Sequence, residues 1–163
     1  MSIPLPYADQ FECRNETLEV YASDRRGQVQ YQFNNFGYRN NIDYEDTADN
    51  VGVYIGSSIT AGIGVDWSKT FAKSSSDALG VNCYHFAQGC VGVDNQEILR
   101  MLQAVKQSNI KAKYHVIQFI QLNRKYDSNT GQTTHCDNYP ENIARFLSVF
   151  DQIQNILVND HWC

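Results

Sequence analysis

The chain has 163 residues, 42% hydrophobic and 19% charged, enough for one compact domain with its own core. A formal net charge of −5 argues against a broad basic surface for nucleic acid, with Arg25, Arg26, Arg124 and Lys125 forming only small local clusters. No segment reaches the ~18 apolar residues of a membrane span, and residues 1–6 lack the regions of a signal peptide, so a soluble, cytoplasmic protein is expected.

Cys13, Cys83, Cys90, Cys136 and Cys163 are an odd, scattered set without a CxxC pair, which speaks against a disulfide scaffold or a zinc ribbon and for reduced thiols. Residues 1–50 read as an N-terminal extension. Within it Val29, Tyr31 and Phe33 alternate with glutamines, the pattern of an edge strand or hairpin arm. The polar stretch 40–50 reads as a connector into 51–55, whose continuous apolar run predicts a strand buried on both faces. This begins the main domain, 51–163.

A turn rich in glycine and serine follows at 56–64. Asp66 is placed to cap a helix to about Leu79, with Gly80 at its end and Trp67, Phe71 and Ala78 on its inner face. Residues 81–86 predict a second strand and 87–92 a second glycine-punctuated turn. Asp94 then opens a helix with Ile98, Met101, Leu102 and Val105 at helical spacing. A third strand is predicted at 114–120, with Asn123 and Arg124 just beyond it. A loop at 127–139 precedes a helix that starts near Pro140 and carries Ile143, Phe146, Leu147, Phe150, Ile153 and Leu157 on one face.

Strand, turn and helix thus alternate, which predicts an α/β fold: a mainly parallel sheet between helices, with ligands at the carboxyl ends of the strands. Ser58, Gly89 and Asn123 would converge there. A serine hydroxyl is a nucleophile for acyl transfer, and backbone N–H groups with an amide side chain are donors for the oxyanion that forms.

Gly56-Ser57-Ser58-Ile59-Thr60-Ala61-Gly62 resembles the GDSxTxG block of the SGNH (GDSL-type) hydrolases, with Ser57 in place of the aspartate. Ala87-Gln88-Gly89-Cys90-Val91-Gly92 is similar to the family's NxGxxG block with alanine for asparagine, and Phe119 to Arg124 looks like a third block that keeps only Asn123. Asn34-Asn35-Phe36-Gly37-Tyr38-Arg39 resembles a lead-in carried by some members. The likeness covers about 34–158. It implies a three-layer α/β/α domain with a flavodoxin-like sheet, an ester hydrolase acting on acyl or acetyl groups of a carbohydrate or lipid, Ser58 as nucleophile, and Gly89 and Asn123 as oxyanion donors. No cofactor or metal is implied; a protein partner and the oligomeric state stay open.

The family's C-terminal DxxH block, source of the catalytic histidine, has no counterpart, since Asp160 and His161 are adjacent. The chain therefore reads as lacking the last part of the domain, as a fragment or by loss, and only His135 or His161 could stand in as base. His85 and His115 read as strand residues. The plainer alternatives are that Ser58 and Gly89 serve only the turns and Asn123 only caps a loop, in a non-catalytic binding or structural module of a larger assembly. A phosphate-binding turn is disfavoured because 56–64 lacks both the P-loop Lys-Ser/Thr ending and GxGxxG.

Overall fold

The computed structural model describes residues 14–21, 28–45, 47–87, 93–127, 132–135 and 138–158. Its centre is a parallel sheet of β3 (Asp49–Gly56), β4 (Asn82–Ala87) and β5 (Lys111–Ile117) in the order β4-β3-β5. Both connections from β3 to β5 pass through helices, α2 (Phe71–Leu79) and then α3 (Asn95–Gln107). β3 therefore has an earlier crossover on one side and a later one on the other. In α/β sheets that reversal of direction is where ligands bind, outside the carboxyl ends of the strands.

Alternation along β3 covers both faces of the sheet. Val51, Val53 and Ile55 join α3 and α4 (Tyr139–Leu157) in the main core, whereas Tyr54 packs with Ala72 of α2 and Cys83 on the other face. Glycine is required at 52, because a Cβ there would lie 2.4 Å from the Tyr114 hydroxyl. The α/β character expected from the sequence is thus present.

Residues 34–48 are more than a connector. Phe36, Tyr38, Tyr44 and Ala48 belong to the main core. They also cover an exposed strand edge: the Asn40 amide donates to the Cys83 carbonyl at 2.7 Å, and the Tyr44 hydroxyl accepts from His85 N–H at 2.9 Å and donates to His85 C=O at 3.0 Å. Side chains thus occupy backbone groups of β4 that would otherwise template another strand. Burial pushes the Tyr44 hydroxyl well above its ordinary pKa. Upstream, β1 (Thr17–Tyr21) and β2 (Gln28–Gln32) form the antiparallel hairpin whose second arm the Val29/Tyr31/Phe33 alternation predicts, and those three side chains form a small cluster of their own.

Several predicted elements shift. The Asp66 side chain makes no capping bond; a 3-10 turn at Trp67–Lys69 intervenes, and Thr70 caps α2 by accepting from Lys73 N–H. This phase buries Ala72 and Ser76, leaving Phe71 and Ala78 exposed. The third strand runs three residues earlier than 114–120, because Gln118 and the residues after it turn to serve the strand ends. Part of the expected 127–139 loop is a hairpin, β6 (Arg124–Asp127) with β7 (Gln132–His135). On α4 the buried face is Asn142, Val149, Ile153 and Leu157, with Phe146 and Phe150 against Phe119, so Ile143 and Leu147 lie exposed on its flank. No helix among the described residues is long and apolar enough to cross a membrane.

Candidate functional site

β3 leaves the sheet through Gly56 and Ser57 and immediately forms a single helical turn, α1 (Ser58–Ala61). Ser57 is extended and offers no side-chain cap, so the N–H groups of Ser58, Ile59 and Thr60 have no helical acceptor. Gly62, at φ 69°, ends the turn in the left-handed conformation that favours glycine. Ser58 is half-buried at the first helical position, and its hydroxyl has no hydrogen-bond partner among the described residues.

Two residues outside the turn hold it. Gln118, one residue past β5, places its side-chain oxygen 2.6 Å from Thr60 Oγ1, 3.2 Å from Ser57 N and 3.3 Å from Ser57 Oγ, all three donating to it. The Gln118 N–H in turn donates to Ile55 C=O at 2.8 Å, locking the two strand ends together. A Cβ at 56 would lie 2.1 Å from Thr60 Oγ1 and 2.8 Å from Gln118 Oε1, so the bridge requires glycine there. On the far side Arg39 donates to the carbonyls of Ala61, at 3.1 Å, and of Gly62 and Val65, while its guanidinium lies 3.8 Å over the Tyr31 ring. Burial lowers the Arg39 pKa from its ordinary value, opposed by the nearby Tyr31 and Asp66.

The exit of β5 is fixed separately. Asn95, the first residue of α3 after its cap Asp94, accepts from Ile120 N–H at 2.7 Å and donates to Ile120 C=O at 3.0 Å. Arg145 of α4 donates to the carbonyls of Leu122 and Arg124 at 3.2 and 2.9 Å, on either side of Asn123. Asn123 is half-buried and, with Gln121, Leu122, Tyr139 and Asn142, lines a cavity of about 340 Å³.

Ser58 and Asn123 therefore follow adjacent strands at one end of the sheet. Ser58 does not line the Asn123 cavity, and among the described residues no hydrogen bond joins the two. Gly89, Cys90 and His161 lie outside the described residues. His135 is exposed at the end of β7, paired in register with Arg124 next to Asn123, and is not hydrogen-bonded to Ser58. His115 lies within β5, as expected of a strand residue. His85 is fully buried in β4 with Nε2 against the Arg39 carbonyl and its ring 4.9 Å from Trp67; burial, reinforced by the Arg39 charge, lowers its pKa to about 3. A ring so held is neutral at physiological pH.

Gln118 and Arg39 are the residues that sequence reasoning missed as organisers of this turn. A lone glutamine in the apolar run around it was the available signal for the first. For Arg39 it was the lead-in motif itself, which names the residue but not its three carbonyl partners.

The chain matches no family model, no curated protein and no solved structure.

Proposed function

We propose that the chain is an SGNH-like hydrolase domain in which Ser58 attacks the carbonyl of an ester, the acyl group being carried by a carbohydrate or lipid. The observation that carries this reading is the tight strand-to-helix turn at Gly56-Ser57-Ser58. A half-buried hydroxyl stands there beside unpaired N–H groups at the ligand-binding end of a parallel sheet. Attack by Ser58 Oγ passes its proton to a histidine base, a role this reading assigns to His135 or His161, and forms a tetrahedral intermediate whose oxyanion needs fixed donors. The Ser58 N–H is one such donor, and Gly89 N–H and the Asn123 amide complete the set in this reading. Loss of one oxyanion donor raises the barrier by about 2.7–4 kcal/mol. Hydrolysis of the acyl-serine by water, with the same base, regenerates the hydroxyl.

Ser57 takes the place of the family's aspartate and donates to Gln118 instead. The position then serves to tie the turn to β5 and leaves Ser58 free.

A second reading is favoured by the described histidines: His85 is buried and neutral, and His135 has no bond to Ser58. On that reading the domain keeps the turn as a binding or structural element and has lost the base. Hydrolysis of short-chain p-nitrophenyl esters separates the two. The hydrolase reading expects turnover that falls to background in Ser58→Ala and persists in Ser57→Ala. Absence of turnover by the intact chain favours the binding module.

A further inference from the structure

A second polar site lies between the β1/β2 hairpin and the 40–43 loop, and it shares Arg39 with the clamp on the Ser58 turn. Two adjoining cavities, of about 220 and 190 Å³, share Gln32, Asn40 and Asn41 in their walls. Gln30 and Thr17 extend the first lobe along the hairpin, and Trp67 closes it; Asn15 and Asp43 border the second. The glutamines are on the exposed side of β2, whose other side carries the buried Val29 and Tyr31. Alternation in this strand therefore presents a row of amides on one face.

Behind each lobe lies a buried side-chain donor with no partner among the described residues. Asn34, 2% exposed, lines the smaller lobe, and its Nδ2 has no partner; Arg39, 3% exposed, lines the larger, and its Nε has none. The rest of Arg39 is committed to the carbonyls of Ala61, Gly62 and Val65, and Asp43 already accepts from Asn35 N–H at 2.9 Å. Among the described residues the walls therefore provide no uncommitted cation for a phosphate or a carboxylate.

What they do provide are the side-chain amides of Gln30 and Gln32, which have no internal partner among the described residues, and the Asn41 amide nitrogen, and amides match hydroxyls that both give and take a hydrogen bond. Trp67 adds an aromatic surface. It is half-buried, and its Nε1 donates to Asn41 Oδ1 at 3.1 Å, which fixes the ring relative to the amides. An aromatic face for C–H groups beside planar amides for hydroxyls is the chemistry that holds a sugar ring.

We propose that this groove binds a neutral oligosaccharide, with Trp67 against a sugar face and Gln30, Gln32 and Asn41 on its hydroxyls. The site is independent of the chemistry assigned to Ser58 and stands whether or not the chain hydrolyses an ester.

The test is titration of the intact chain with cellohexaose, maltohexaose and N-acetylchitohexaose at millimolar concentration, followed by tryptophan fluorescence and calorimetry. Saturable binding of at least one is expected, weakened about tenfold or more in Trp67→Ala and in the Gln30→Ala/Gln32→Ala double variant. The double variant alters only exposed strand positions, so it retains the wild-type circular dichroism and keeps the test valid if Trp67→Ala misfolds. Failure of all three sugars to bind, or binding undiminished in the double variant, overturns the proposal. Binding of an unfolded polypeptide to the groove in place of the sugars overturns it equally.

Discussion

Thr60 Oγ1 donates to Gln118 Oε1 across 2.6 Å, and that bond joins the helical turn after β3 to the end of β5. The same glutamine oxygen takes Ser57 N–H and Ser57 Oγ, so one half-buried side chain holds the geometry on either side of Ser58. The placement of the proposed nucleophile follows from this bridge and from the Arg39 clamp on the other end of the turn.

Gln118→Leu removes the acceptor for three donors and leaves buried groups unpaired, at a cost of about 1–3 kcal/mol in stability. Gln118→Glu keeps an acceptor oxygen and loses less. Urea unfolding of both variants checks the order; equal losses would show that the bridge contributes only shape.

Gly56→Ala places a methyl where Thr60 Oγ1 and Gln118 Oε1 sit, 2.1 and 2.8 Å away. Overpacking of this kind costs about 1–3 kcal/mol. The expected result is a lowered urea midpoint together with loss of any Ser58-dependent activity, because the turn must shift to admit the group. An unchanged midpoint would mean that the bridge yields freely.

Arg39→Met removes a buried cation and its hydrogen bonds to Ala61, Gly62 and Val65. Each carbonyl left buried and unpaired costs about 1–3 kcal/mol, offset in part by the desolvation that the cation no longer suffers. Destabilisation and a more exposed 61–65 segment are expected, the latter read by faster amide hydrogen exchange there. Exchange unchanged across 61–65 would contradict the clamp.

His85 gives the fold a definite pH response. Its pKa is about 6.5 in the unfolded chain and about 3 in the folded one, lowered first by burial and then by Arg39. The folded state therefore refuses a proton that the unfolded state accepts. The stabilisation is complete above pH ~6.5 and is lost progressively as pH falls towards 3, with a slope of up to about 1.4 kcal/mol per pH unit. Urea unfolding between pH 7 and 4 should show this slope, and His85→Gln should flatten it; an equally steep response in the variant would assign the slope to other groups.

Local signals carry the parts of the fold that were legible in the sequence. The apolar run at 51–55, the Asp94 cap with Ile98, Met101, Leu102 and Val105 behind it, and Gly80 after α2 are decided within a few residues, and the structure has them. The shifted parts depend on distant partners. Thr70 displaces Asp66 as the cap because of how α2 must meet Tyr54, and Ile143 and Leu147 lie outside because α3 and Phe119 choose the packed face of α4. Tyr44 and Asn40 look like connector residues until β4 supplies the backbone groups that they satisfy. At the candidate site Ser58 and its turn are readable from the Gly/Ser pattern, whereas Gln118 is sixty residues away and has no local reason to be singled out.

The most direct measurement of the central claim is mass spectrometry of the intact chain after treatment with a fluorophosphonate, which reacts with activated serines. One adduct is predicted, on the peptide containing Ser58, present in wild type and Ser57→Ala and absent in Ser58→Ala. A wild-type chain that remains unlabelled, or an adduct that persists in Ser58→Ala, would contradict the assignment of Ser58 as nucleophile.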